Sequence, residues 1–377
     1  MDLRIPDDGG AGSPDADIGL LRRFADSFQD RKRPMVGFPV NLDFDYRPLA
    51  DFLSLHLNNV GSPDERSEYG MDTKPFEQAV VAFFTGLAGG IPEEVFGHIA
   101  HGGTEANLFA AYVARERFPD AVLYASAEAH YSIPKVARVL RLPHVVVDAD
   151  ADGAVDLAAL DRELRSRPGT AAIVIATIGS TGRGAMDDIP GIRETASAAG
   201  VRELFVHSDA ASGGPLAEFG QPPVPWAFPA GADSVSVSGH KIVGSPIPSS
   251  VVLARSADVE AVNQPDAAVG SDDNTISGSR DALSPVFLWY ALRRTGRAGL
   301  ARRVRHCLEV TGYATRKLAE AGRHPSRAPG GNVVLFDLPP EDVLHRWRLL
   351  KHEDRGHLVV MPHVTREHID RLCADLA

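Results

Sequence analysis

The chain has 377 residues and a formal net charge of −11, with 44% hydrophobic and 24% charged residues. This composition is ordinary for a soluble globular protein, and the acidic balance argues against nucleic-acid and anionic-membrane binding. No apolar run is long enough to span a bilayer. The two cysteines, Cys307 and Cys373, exclude a disulfide framework and fit a reducing cytoplasm, so we expect a cytoplasmic protein.

Residues 1–60 are predicted to form an N-terminal segment. Residues 1–17 are acidic and rich in Gly, Pro and Ala, which is typical of a disordered start and unlike a signal peptide. Apolar spacing predicts helices over 20–30 and 46–57. Between them, residues 37–41 are too rich in Pro and Gly for regular structure.

After a helix predicted over 75–87, short apolar stretches alternate with helical patterns. This alternation predicts an α/β fold with a mostly parallel sheet covered on both faces. The predicted strands are 97–100, 121–126, 145–147, 171–177, 204–207, 235–238 and 250–254, and the helices between them are 105–117, 131–140, 157–165 and 189–199.

The C-terminal part has a different pattern. Helical stretches over 285–294 and 300–321 are followed by strands near 333–336 and 357–361 and by a helix from residue 366. We therefore predict a large α/β domain over 61–300 and a small α+β domain over 301–377.

Several polar residues follow predicted strands, at the sheet edge where open α/β folds bind ligands. Gly102, Gly103 and Thr104 open a helix, so they form either a phosphate cradle or a plain helix start. His130 follows the strand over 121–126 and is either a solvated loop residue or a partner for a ring.

Asp209 follows the strand over 204–207. It is either a turn residue or a carboxylate that keeps a pyridine nitrogen protonated, and Ala211 beside it leaves room for a flat ring. Lys241 follows His240 just beyond the strand predicted over 235–238, either as a surface lysine or as a Schiff-base amine. Together an anion cradle, a ring partner, a pyridinium counter-ion and an aldehyde-capturing lysine indicate pyridoxal 5'-phosphate (PLP).

Ordered motifs extend this pattern, and the chain from about Pro34 resembles the fold-type I, group II PLP-dependent amino acid decarboxylases. The resemblance is closest to the short bacterial histidine decarboxylases and the plant serine decarboxylases. The motifs are His101-Gly-Gly-Thr-Glu-Ala-Asn107, Leu123–Ser126 with His130–Ser132, Ala176–Thr181, His207–Ala211, Val237–Pro248, Ile276–Arg280 and Val360–Val364.

The resemblance implies an aspartate aminotransferase-like fold whose large domain binds PLP, and at least a homodimer with its site at the interface. It implies decarboxylation of an L-amino acid through an external aldimine and a quinonoid. Lys241, His130 and Asp209 would be catalytic. The cofactor would be held by Gly102, Gly103, Thr104, His130, Ser180, Asp209, Ala211, Ser238, His240 and Lys241, and Pro39 and Asn41 would lie in the substrate pocket.

One position departs from the family pattern: Ala268 stands where a tyrosine is usual, ahead of Ile276–Arg280. Loss of that hydroxyl could enlarge the substrate pocket or alter proton delivery. The alternative is therefore a diverted enzyme that yields an aldehyde with oxygen, or catalyses β-elimination. Its substrate would be a modified amino acid such as a cysteine S-conjugate.

Other classes of protein fit less well. A cysteine desulfurase needs a reactive loop cysteine, whereas Cys307 and Cys373 lie in predicted helices. Histidines 98 and 101 could suggest metal ligands, but a strand does not place such a pair on one side, so we predict no metal site. A non-catalytic cofactor-binding protein is a remote alternative, because Lys241 is present.

Overall fold

A computed structural model describes residues 14–32 and 35–376. The first helix, α1 (Pro14–Lys32), has Asp15 and Asp17 in its first turn, where carboxylates stabilise the helix dipole. The helix predicted over 20–30 therefore begins earlier, and residues 14–17 are not part of a disordered start. The rest of that predicted start, residues 1–13, lies outside the described residues.

The helix predicted over 46–57 is a shorter 3-10 helix, Arg47–Ser54, none of whose residues is buried. Short helices depend on packing for their stability, and this segment has no buried face to extend it as an α-helix. The stretch 37–41 ahead of it is irregular, as predicted.

Within the described residues, seven strands form the central sheet, in the order β1-β7-β6-β5-β4-β2-β3. Strand β7 is antiparallel to both of its neighbours, and the other pairings are parallel. The mostly parallel sheet is thus confirmed. The strands are β1 (Val95–Ala100), β2 (Val122–Ser126), β3 (His144–Val147), β4 (Ala172–Thr177), β5 (Leu204–Asp209), β6 (Ser234–Ser238) and β7 (Ser250–Arg255).

Helices cover both faces of this sheet. Alternate residues of a strand serve different cores: Ile173 packs with Phe109 and Ile133 on one face, and Val174 packs with Leu160 on the other. The helices are α2 (Lys74–Leu87), α3 (Gly103–Arg117), α4 (Ser132–Leu140), α5 (Leu157–Arg165), α6 (Ile189–Ala198), α7 (Gly214–Phe219) and α8 (Ser256–Val259).

The long helix α9 (Leu283–Glu320) leads to the C-terminal part and breaks at Gly296, where φ is 58° and ψ is 179°. A second sheet follows, in the order β10-β12-β11 and antiparallel throughout. The elements of this C-terminal part are β10 (Val333–Asp337), α10 (Glu341–Trp347), β11 (Leu350–His352), β12 (Arg355–Val359) and α11 (Arg366–Leu376). The domain boundaries near 60 and 300 stay predictions.

A small hairpin precedes α9 and was not predicted from the sequence. It consists of β8 (Gln264–Asp266) and β9 (Ser271–Asp273), and Ala268 lies exposed in the turn between them. Over the described residues, no helix combines the length and apolar character needed to cross a membrane.

Candidate active site

The carboxyl ends of β1, β2, β4, β5 and β6 lie at one edge of the sheet, and a cavity of about 270 Å³ opens there. Nine of the predicted site residues line it, together with seven others. The lining consists of His101, Gly102, Gly103, Thr104, Asn107, His130, Tyr131, Thr177, Gly179, Thr181, Asp209, Ala211, Ser238, His240, Lys241 and Pro248.

The remaining predicted residues lie elsewhere. Ser180 and Pro39 line a neighbouring cavity of about 20 Å³ that also reaches Lys241. Ser180 Oγ accepts a hydrogen bond from the Ala185 N–H at 3.2 Å, within its own turn. Asn41 and Ala268 line neither cavity.

The junction of β1 and α3 has the backbone features of an anion-binding site. Gly102 has φ 129°, a conformation that favours glycine, and Gly103 begins α3, whose first N–H groups have no partner within the helix. A Cβ on Gly103 would lie 3.6 Å from Ser238 Oγ and 3.7 Å from Ala211 Cβ. Glycine therefore keeps this space open between the helix and the end of β6.

Two hydroxyl groups at the cavity lack partners. Ser238 Oγ and Thr177 Oγ1 are buried, and neither makes a hydrogen bond to a described residue. Buried polar groups in folded proteins are nearly always hydrogen-bonded. The cavity therefore suits a ligand with several acceptor oxygens, and the phosphate and ring substituents of PLP supply such oxygens.

Lys241 lies in a tight turn, Gly239–Val243, with φ −91° and ψ −109° at the lysine itself. Such π-type turns are frequent at functional sites. The turn is held from outside by Asn41 Nδ2, which donates to Ile242 O at 3.1 Å, and by Tyr46 Oη, which donates to Gly244 O at 2.9 Å. Asn41 thus supports the turn that carries the lysine.

Burial lowers the pKa of the Lys241 amine, and the nearby Asp209 carboxylate opposes this effect. A larger share of the amine is therefore unprotonated than in a solvated lysine. An unprotonated amine is the form that attacks an aldehyde.

Asp209 is the last residue of β5, two residues beyond the predicted strand end. Its Oδ2 accepts from Asn107 Nδ2 at 2.7 Å, and its Oδ1 accepts from the Ala211 N–H at 3.2 Å. Both carboxylate oxygens are thus held, at the side of the cavity that Ala211 and Thr177 also line.

His130 lies between β2 and α4. Its Nδ1 accepts from the Ser132 N–H at 3.3 Å, so the neutral ring carries its proton on Nε2. Burial is the main influence on its pKa, which is lowered, while Asp209 opposes the shift. The adjacent Tyr131 is 74% exposed, with its ring centroid 4.1 Å from that of His130.

Sequence reasoning missed Asn107, Thr177 and Tyr131. Thr177 ends β4 and pairs with Asp209 of β5, so the strand-end argument could have found it. Tyr131 directly follows His130. Asn107 sits one turn into α3, and although the motif His101–Asn107 includes it, sequence reasoning assigned no role to this buried helix position.

Comparison with known proteins agrees with this geometry. The pyridoxal-dependent decarboxylase conserved domain matches residues 110–326. Histidine decarboxylase of Vibrio campbellii is 36% identical over 369 residues, which is 96% of this chain and 95% of that protein. Histidine decarboxylase of Mesorhizobium japonicum is 38% identical over 349 residues, covering 92% of this chain and 94% of that protein.

Two further relatives extend the likeness. Serine decarboxylase 2 of Oryza sativa subsp. japonica is 34% identical over 360 residues, 95% of this chain and 77% of that protein. L-methionine decarboxylase from Streptomyces sp. 590 is 23% identical and shares the fold, with a TM-score of 0.88 over 99% of this chain and 96% of that one. The chain belongs to the pyridoxal-dependent decarboxylase family, as a fold-type I amino acid decarboxylase whose cofactor is PLP.

Proposed function

We propose that this decarboxylase acts on L-histidine and that Lys241, His130 and Asp209 are its catalytic residues. The observation that carries the proposal is that these three side chains line one cavity. Two buried hydroxyl groups in that cavity, those of Ser238 and Thr177, have no hydrogen-bond partner among the described residues. Identities of 36% and 38% to two histidine decarboxylases support the choice of substrate.

The charge of the site also favours a substrate without a second carboxylate. Of the described residues that line the two cavities, Lys241 is the only lysine or arginine. A substrate with an acidic side chain would be desolvated there without a dedicated cation, which is unfavourable. An imidazole side chain carries no such requirement.

Different residues at the strand ends would bind different parts of PLP. Gly102, Gly103 and Thr104 would offer backbone N–H groups to the phosphate, with Ser238 Oγ and His240 beside them. His130 would pack on one face of the ring and Ala211 on the other, and Ser180 would lie near the phenolic oxygen. Asp209 would accept a hydrogen bond from the protonated ring nitrogen, and Lys241 would bind the aldehyde carbon through its amine.

When bound, PLP supplies an electron sink for the electrons left on Cα as carbon dioxide departs. The side chains of the chain orient the substrate and set the charges. The Asp209 carboxylate would stabilise positive charge at the ring nitrogen. Burial lowers the pKa of the Lys241 amine, so its unprotonated form would be available to the aldehyde of PLP. Lys241 Nζ would also be placed in the cavity to carry a proton to or from the substrate.

A second candidate reaction is an oxygen-dependent route to an aldehyde, or β-elimination, on a modified amino acid such as a cysteine S-conjugate. The observation that favours it is Ala268. Alanine has no hydroxyl group, unlike the tyrosine that is usual at this position, and Ala268 lies exposed in the β8–β9 turn.

The deciding experiment is product analysis by mass spectrometry with an oxygen electrode. PLP-loaded protein and its Lys241→Ala variant are each given a panel of L-amino acids and cysteine S-conjugates. Histamine and carbon dioxide without oxygen uptake, absent with the variant, would support the proposal. An aldehyde with oxygen uptake, or a thiol from a conjugate, would favour the second candidate. An amine from a different amino acid would overturn the choice of histidine.

We also propose that the protein is a cytoplasmic homodimer whose cavities lie at the interface. Apolar side chains on α1 are unusually exposed, with Ile18 at 47%, Leu21 at 60% and Phe24 at 46%. A second chain would cover such a surface. The two cysteines are free, in keeping with a reducing compartment.

A further inference from the structure

Asn107 lies at the centre of a buried hydrogen-bond network behind Asp209. Its Nδ2 donates to Asp209 Oδ2 at 2.7 Å, and its Oδ1 lies 3.0 Å from His207 Nε2 and 3.1 Å from Ser236 Oγ. His207 Nδ1 lies 2.8 Å from Ser234 Oγ. Asn107 is 1% exposed, and His207, Ser234 and Ser236 are fully buried.

The hydrogen positions in this network follow from the chemistry of its members. An ionised carboxylate only accepts hydrogen bonds, so the amide NH₂ of Asn107 must face Asp209. The amide oxygen then faces His207 Nε2 and the Ser236 hydroxyl, which must both donate. His207 therefore carries its proton on Nε2 and accepts from Ser234 through Nδ1.

The histidine is neutral in this arrangement. Burial lowers the pKa of His207 to about 4, although the Asp209 carboxylate acts in the opposite direction. Among the described residues, no cationic side chain forms an ion pair or hydrogen bond with Asp209. Its hydrogen-bond donors are the neutral amide of Asn107 and the backbone N–H of Ala211.

We propose that Asn107 is a positioning residue that fixes the rotation of the Asp209 carboxylate without placing a positive charge beside it, so that the carboxylate can pair with the ring nitrogen of PLP. An arginine or lysine in its place would neutralise the carboxylate that the ring nitrogen needs. A neutral amide, itself held by His207 and Ser236, orients the carboxylate without doing so. The inference rests on the proposed role of Asp209.

The test uses holoenzyme reconstituted with PLP labelled with ¹⁵N in the ring, and compares wild type with Asn107→Leu. The ¹⁵N chemical shift reports whether the ring nitrogen is protonated. We expect a protonated nitrogen in wild type and a shift toward the unprotonated value in the variant. We also expect kcat to fall about 10- to 100-fold, the effect of losing one hydrogen bond to a charged group, with KM little changed.

Thr311→Val is the matched control, because Thr311 is fully buried in α9 and donates to Cys307 O at 2.7 Å, outside the cavity lining. It should lower stability without moving the ¹⁵N shift, and a shift there would overturn the local interpretation. An unchanged ¹⁵N shift and kcat in Asn107→Leu would overturn the proposal.

If Asn107→Leu does not fold or does not retain PLP, Ser236→Ala decides. It removes one donor to Asn107 Oδ1 and leaves the contact with Asp209, so a smaller shift in the same direction is expected, and no shift would overturn the proposal. An unprotonated ring nitrogen in wild type would instead contradict the role of Asp209 itself.

Discussion

The amine of Lys241 has opposite consequences for the proposed chemistry and for stability. The turn around it is held by side chains distant in sequence, so the lysine keeps a fixed place at the end of β6. Desolvation disfavours its charged form, which prepares the amine for an aldehyde but makes the cofactor-free protein sensitive to pH.

The sign of that sensitivity follows from proton linkage. Because the folded-state pKa of Lys241 lies below its ordinary value of 10.5, the unfolded chain binds more protons between these two values. The free energy of unfolding of the cofactor-free wild type therefore rises with pH through that window. Below the lowered pKa the amine is protonated in both the folded and the unfolded state, and this gain in stability is absent. In Lys241→Met, which cannot titrate, the stability gain over cofactor-free wild type should be larger at neutral pH than near pH 10.5.

Urea unfolding of both cofactor-free proteins at several pH values measures this difference. A gain that stays constant across the range would contradict desolvation of the amine. Borohydride reduction of the PLP-loaded proteins provides the control, since wild type should be labelled at residue 241 and Lys241→Met should not.

At the scale of elements, the space at the β1–α3 junction limits the size of the side chain at position 103. A Cβ on Gly103 would touch Ser238 and Ala211 at ordinary contact distances, so an alanine fits here, and we expect the further atoms of a valine to extend into the cavity. Gly103→Val should therefore change the free energy of unfolding by less than about 1 kcal/mol. It should weaken PLP binding by more than about tenfold, because its methyl groups would occupy the phosphate cradle.

Gly103→Ala is the matched control, and we expect it to bind PLP almost as well as wild type. PLP binding is measured by titration of the visible absorbance. Equal affinity in Gly103→Val and wild type would show that the phosphate lies elsewhere.

A buried ion pair links the segment before α9 to helix α2 and, through a further hydrogen bond, to strand β1. Arg280, from the motif Ile276–Arg280, pairs with Glu77 of α2, and their side chains are 1% and 0% exposed. Glu77 also accepts from the Ile99 N–H of β1 at 2.8 Å and from Asn59 Nδ2 at 3.0 Å. This motif, quoted above for its resemblance, therefore has a structural role.

Breaking the pair from one side should be costly. Arg280→Met leaves the Glu77 carboxylate buried without its cation, and we expect a loss of about 3–5 kcal/mol in the free energy of unfolding. Adding Glu77→Gln to this variant should recover part of the loss. Urea denaturation tests both, and a loss below about 1 kcal/mol in Arg280→Met would contradict the assignment.

At the scale of the whole molecule, the exposed face of α1 predicts association. The double variant Leu21→Asp and Phe24→Asp should be monomeric by light scattering and should lose most activity if the cavities lie at the interface. Arg23→Asp, on the other side of the same helix, is the control and should remain dimeric. A double variant that is still dimeric and active would exclude α1 from the interface.

Much of the site could be predicted from the sequence because its residues follow apolar strands. Once the strands run parallel, Thr104, His130, Asp209 and Lys241 must meet at one edge. Asn107 could not be predicted, because its role depends on β5 and β6 placing His207 and Ser236 opposite α3. The family resemblance suggested Ala268 as a pocket residue, but the structure places it in the exposed β8–β9 turn, outside both cavities.

The pairing of β1 with β7 also orders events during protein synthesis. Residues Val95–Ala100 pair only with Ser250–Arg255 among the described strands. The Gly239 N–H, at the start of the Lys241 turn, donates a hydrogen bond to Ser249 O. A nascent chain that stops before β7 therefore leaves β1 unpaired and the Lys241 turn without this hydrogen bond. If PLP binds at this edge as proposed, we expect its capture to follow the synthesis of β7, after about two thirds of the chain, as a late step of folding.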